Sequence, residues 1–97
     1  MTDATPTMRV IWKFALGPVP HALPAVGSVL IPLGARAIHV GLQDGELCLW
    51  AFVEPDATKV RRGYGIYGTG QFVPGHMGYC GTVLASDSWV LHVFLSQ

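Results

Sequence analysis

Ninety-seven residues suffice for one domain that buries its own core without metal or disulfide support, and are too few for two. Apolar residues make up 51% of the chain and charged residues only 12%, which excludes disorder and leaves too little charge to coat a solitary molecule, so a homo-oligomer is expected. Six Lys and Arg balance six Asp and Glu; affinity for a phosphate backbone comes from many cations, so nucleic acid is not an expected partner.

Short apolar runs and alternating stretches, broken by Gly, Pro and Asp, predict an all-β domain with no helix. Residues 1–8 are expected to be a flexible N-terminus and 9–97 a single β domain. The first strand is predicted over Arg9 to Leu16, with Val10, Trp12, Phe14 and Leu16 on one side and Arg9, Ile11, Lys13 and Ala15 on the other. Gly17 to Pro24 is proline-rich and reads as an extended connection, followed by a short strand from Ser28 to Ile31 that stops at Pro32. The uncharged run from Phe14 to Ala35 is long enough to cross a bilayer, but Pro18, Pro20, Pro24 and Pro32 break it as a helix, so no membrane partner is expected.

Asp44-Gly45 between two β-rich runs, within Ala35 to Glu54, predicts a hairpin with a type I′ turn. With those two residues as the turn, Gln43 pairs with Glu46, Gly41 with Cys48, His39 with Trp50 and Ile38 with Ala51. One face then carries Ile38, Val40, Leu42, Leu47, Leu49, Ala51 and Val53, a predicted core surface. The other carries His39, Gly41, Cys48, Trp50 and Phe52, whose aromatic content calls for a second sheet, a neighbouring subunit or a ligand. A turn at Glu54 to Thr58 leads into a strand from Lys59 to Thr69, and Gln71 to Gly78 reads as a loop. A closing hairpin pairs Tyr79 to Ala85 with Trp89 to Leu95 around Ser86-Asp87-Ser88, where two alternative two-residue turns leave the register, and the face of His92, open. The expected architecture is a compact antiparallel sandwich or small barrel of about six or seven strands.

Gly63-Tyr64-Gly65-Ile66-Tyr67-Gly68 spells GxGxxG, but that fingerprint binds a dinucleotide only where its last glycine opens a helix, and Thr69, Gly70, Pro74 and Gly75 prevent one. The glycines instead suit a bent strand or close packing. The same strand places Tyr64, Tyr67 and Thr69 beside Arg61 and Arg62, offering ring faces and cationic forks for a phosphate-bearing ligand. With His39 and Trp50 of the aromatic hairpin face, and His76 in a loop able to close over it, these form the candidate ligand-binding set.

His39, Cys48, Cys80 and His92 have the donor types of a zinc site but not the spacing of a zinc module, so no metal or other cofactor is expected. The Ser86, Asp87, Ser88 and His92 group reads as turn chemistry, and the acidic residues form no pair at a defined spacing, so catalysis is not expected. Two cysteines outside any CxxC pattern read as buried thiols of a reducing compartment, and residues 1–7 lack an export signal's basic and apolar regions; the host cytoplasm is the expected location.

The segments IWKFAL (Ile11 to Leu16), VLIPLGARAIHVGLQDGELCLWAFVEPDA (Val29 to Ala57), GIYGTG (Gly65 to Gly70), GTV (Gly81 to Val83) and LHVF (Leu91 to Phe94) together resemble a family of small uncharacterised phage and prophage proteins. CLWAFVEPDA and IYGTG are the most specific of these blocks. The resemblance implies a phage accessory context, in which small proteins sequester nucleotide immune signals or inhibit a host protein. The expected function is therefore homo-oligomeric sequestration of a small anionic ligand. The alternatives are inhibition of a host protein by contact and a minor structural or assembly role.

Overall fold

The computed structural model describes residues 8–86 and 88–97; the expected flexible N-terminus, apart from Met8, and the turn residue Asp87 lie outside the described residues. The described residues form seven strands: β1 (Val10–Pro18), β2 (Ala25–Pro32), β3 (Arg36–Gln43), β4 (Glu46–Val53), β5 (Lys59–Tyr67), β6 (Met77–Ser86) and β7 (Trp89–Ser96). They form a three-stranded sheet in the order β1-β4-β3 and a four-stranded sheet in the order β2-β5-β7-β6, with antiparallel pairing throughout. The protein is an all-β sandwich. No helix among the described residues is long and apolar enough to cross a membrane.

Asp44 and Gly45 both have positive φ, as a type I′ turn requires, and this turn sets the β3–β4 register at Gln43–Glu46, Gly41–Cys48 and His39–Trp50. Alternation then turns Leu47, Leu49, Ala51 and Val53 of β4 inward, where all four are buried. They meet Val29 and Ile31 of β2, Ile66 of β5 and Leu91, Val93 and Leu95 of β7 in one core cluster. Each fully buried leucine contributes about 1.5–3 kcal/mol relative to exposure. On the inner face of the smaller sheet, Trp12 lies opposite Ala51, which in turn lies opposite Ala37, so one large ring is matched by two small side chains.

The expected core position of Ile38 is corrected. A bulge between Ala37 and His39 seats Ala37 opposite Ala51 and turns Ile38 out of the ladder, where it is 42% exposed. Leu42, also expected in the core, sits beside the turn beyond the reach of the second sheet and is exposed. The second strand is longer than its expected Ser28–Ile31 because Ala25 to Gly27 pair with Gly65 to Ile66 and Tyr64 of β5. Met77 and Gly78, expected in a loop, already belong to β6. The open register of the last hairpin is decided as Ser86 opposite Trp89, with Thr82 opposite His92, which puts His92 on the outer face of the larger sheet.

Two glycines are close-approach sites. A Cβ on Gly27 would lie 2.5 Å from the Tyr64 hydroxyl, and one on Gly81 would lie 2.6 Å from Cγ2 of Val40. The first makes room for a ring that spans the sandwich, with its hydroxyl donating to the Leu16 carbonyl at 3.0 Å. The second lets β6 press against β3, closing one side of the sandwich. Gly27→Ala should therefore destabilise the fold by about 1–3 kcal/mol through overpacking, and Leu49→Ala by about 2–5 kcal/mol through a core cavity, both read from the midpoint of urea unfolding at unchanged slope.

Candidate functional site

The outer face of the three-stranded sheet is covered by neither sheet. On it β4 presents Cys48, Trp50 and Phe52, β1 brings Ile11 beside Phe52 and Lys13 beside Trp50, and β3 brings His39 beside Trp50 and Arg36 beside Phe52. The His39 and Trp50 rings are 5.5 Å apart, with the imidazole packed over Gly41. The Arg9 guanidinium lies 4.8 Å from the centre of the Phe52 ring, within cation–π range. Lys13 donates from Nζ to Oε1 of Gln43 at 2.6 Å, laying its stem along the face. Two half-buried aromatic rings thus stand among three cations, with Glu46 at the far end.

Arg36 also borders a cleft of about 340 Å³ at one end of the sandwich, lined by Ala35 and Ala37 on the β3 side and by Gly78, Tyr79 and Cys80 on the β6 side, with Arg62, Leu95 and Gln97 between them. Arg62 is there because alternation along β5 carries Arg62, Tyr64 and Ile66 to the inner face, and Arg62 meets the end of the core. Its guanidinium donates from Nε to the Ser96 carbonyl and from Nη1 to the Ala35 carbonyl, both at 2.8 Å. These neutral partners use two of its five donors and leave its charge uncompensated by any carboxylate among its hydrogen-bond partners. Burial pushes the Cys80 thiol above its ordinary pKa, opposed by a hydrogen bond from the Leu95 backbone and by the Arg62 charge, so the sulfur stays neutral and adds no anion to the cleft. The Arg62 guanidinium in a polar cleft can hold an oxyanion, and Arg36, which borders the cleft, belongs to the aromatic face beside Phe52.

The eight residues singled out from sequence fall on separate surfaces. His39 and Trp50 stand on the open face of the small sheet, and Arg62 lines the cleft. Tyr64 is turned inward on Gly27. Tyr67 is buried on the outer side of the large sheet, its ring lying over Gly65 and meeting Phe94 edge-on at 5.6 Å, so neither tyrosine offers a free ring. Thr69 bonds Nε2 of His92 at 2.8 Å, and Nδ1 of His92 bonds Thr82 at 3.0 Å. Arg61 is exposed on β5 and His76 in the β5–β6 loop. Arg36, Arg9 and Lys13 are the residues that sequence reasoning missed; alternation with Ile11 already put Arg9 and Lys13 on one side of β1, but nothing local showed that this side continues the Trp50 face. Among the described residues, no group of three or more His, Cys, Asp or Glu could hold a metal ion.

The model of one protein family, described as a domain of unknown function (DUF7352), matches residues 8–97. The chain belongs to that family. No curated protein and no solved structure matches it. The matched span takes in all seven strands, and with them both the cleft and the aromatic face.

The raised Cys80 pKa has a direct readout. Alkylation of Cys80 should reach half its maximal rate at a pH above that of a free thiol, because only the thiolate reacts, and Arg62→Gln should move that midpoint higher still by removing a charge that favours the thiolate. Mass spectrometry of modified peptides across a pH series separates Cys80 from the buried Cys48, and a midpoint at or below the free-thiol value would refute the assignment.

Proposed function

We propose that the chain is a non-catalytic phage accessory protein of the host cytoplasm that assembles as a homo-oligomer and sequesters a small anionic, nucleotide-like host defence signal. The observation that carries this reading is the half-buried Arg62, bonded only to carbonyls in a cleft it shares with Arg36. A guanidinium so placed supplies a fork for phosphate. The neighbouring Phe52, Trp50 and His39 supply ring faces on which a base can stack, and Arg9 and Lys13 add positive potential along the way. The net charge of zero conceals this separation: Asp44, Glu54 and Asp56 sit at turns, while three cations share one sheet face. The phage setting and the defence signal come from the resemblance of the CLWAFVEPDA and IYGTG blocks to phage and prophage proteins.

Thermal unfolding against a panel of cyclic dinucleotides, ADP-ribose and linear nucleotides tests the proposal. A ligand present at about a hundredfold excess over its Kd adds about 2.7 kcal/mol to stability, a shift of many degrees in a domain of this size. That shift should fall sharply in Arg36→Gln and in Trp50→Ala, two exposed or half-exposed positions whose replacement spares the core. Unchanged melting across the whole panel would overturn the reading, and capture of one host protein dependent on Trp50 would replace it with inhibition by contact.

A further inference from the structure

A single nucleotide needs one ring and one cation, and the outer face of the small sheet carries that pair twice. Pairing across β1, β4 and β3 sets Lys13, Trp50 and His39 in one row and Ile11, Phe52 and Arg36 in the next. Lys13 and Arg36 are exposed and stand on opposite sides of β4, so a chain of phosphates crossing the sheet from one to the other passes a ring of β4 in each row. Over the whole chain six cations balance six carboxylates, which made nucleic acid unexpected from the sequence. A phosphate responds instead to the charge nearest it, and on this face that is Arg9, Lys13 and Arg36.

The spacing of the rings selects the form of the strand. Trp50 and Phe52 are two residues apart on β4, a separation of about 6.4–6.8 Å along a strand. That is about twice the 3.4 Å step between stacked bases. A duplex keeps its bases paired and stacked, whereas a single strand can splay them, one to each ring. The Arg9 guanidinium lies 4.8 Å from the centre of the Phe52 ring, so a base at that row meets a guanidinium plane backed by a ring, which is itself a stacking surface. Ile11, 50% exposed, adds apolar contact beside it. Glu46 begins β4 and Glu54 follows it, so carboxylates flank the two rows and set the path at a few nucleotides.

We propose that the outer face of the small sheet binds a short single strand of nucleic acid, with bases stacked at Trp50 and at the Phe52 and Arg9 pair and phosphates held by Lys13 and Arg36. Recognition through rings and phosphates makes the face indifferent to sugar and sequence. This rests on the reading of that face as a base-stacking surface and extends it from one nucleotide to a strand; the Arg62 cleft takes no part.

Fluorescence anisotropy with labelled hexathymidylate and hexauridylate tests it. Both should bind at low salt with similar affinity, and a blunt DNA duplex should bind far more weakly. The logarithm of the association constant should fall with that of salt concentration at a slope of about −2, three phosphates at about 0.7 each, and Lys13→Gln should cut the slope to about −1.4. Trp50→Ala should weaken binding at least about fivefold, the loss of one stacked base. Circular dichroism shows whether Trp50→Ala keeps the fold; if it does not, the exposed Lys13→Gln carries the test alone. Absence of hexamer binding overturns the proposal, as does equal affinity for the duplex, a strong preference for one sugar, or affinity and salt slope that the folded variants leave unchanged. Hexamer binding with no melting shift across the nucleotide panel supports the strand and removes the small-signal reading, and the opposite pattern does the reverse.

Discussion

A β-strand shows alternate side chains to opposite sides, and two stacked sheets can hide only the sides that face each other. That constraint governs this molecule. Leu47, Leu49, Ala51 and Val53 close against Val29, Ile31, Ile66 and Leu91 to Leu95, and the sheets touch where Gly81 meets Val40. Among the described residues there is no helix to cover either outer surface. The larger sheet partly covers its own: Tyr67 lies on Gly65, Phe94 takes the edges of Tyr67 and Tyr79, and Thr69, His92, Thr82 and Tyr79 are joined by hydrogen bonds. The smaller sheet has Trp50 and Phe52 on its outer side with cations around them, and neither sheet of the described residues covers that side.

The same alternation explains Arg62. A strand that needs Tyr64 and Ile66 inside must also send Arg62 inside, and there the guanidinium ties the end of β7 to the residue before β3 by donating to the Ser96 and Ala35 carbonyls. Structure and recognition share this residue: the bonds that hold it still also present its remaining N–H groups to the cleft it lines with Arg36. Glycine plays a matching part on both sides of β5. Gly27 accepts the Tyr64 ring inside the sandwich and Gly65 accepts the Tyr67 ring outside it, so a GxGxxG string that elsewhere cradles phosphate here provides flat ground for aromatic rings.

The cleft that Arg62 lines and the aromatic face beside it suit an anion. An arginine whose hydrogen-bond partners are carbonyls gives that surface a reason to bind one.

Local chemistry carried far in the sequence. Asp44-Gly45 set a turn whose two positive φ values follow from residue type, and with it the partners of His39, Gly41 and Gln43 and the separation of the Trp50 side from the Leu49 side. Alternation with glycine and proline breaks established an all-β domain with two sheets' worth of strands. Ile38 marks where local reasoning stopped, because the bulge that expels it answers to packing around Ala37 and Ala51. The tertiary structure alone decided which strands neighbour one another, that β1 and β3 flank β4 and so bring Arg9, Lys13 and Arg36 to one face, and that Tyr64 and Tyr67 point to opposite sides with both rings engaged. Side-chain period is a property of consecutive residues and can be read along the chain. That Arg36 and Arg62, 26 positions apart, border one cleft depends on sheet order, which no short stretch of sequence encodes.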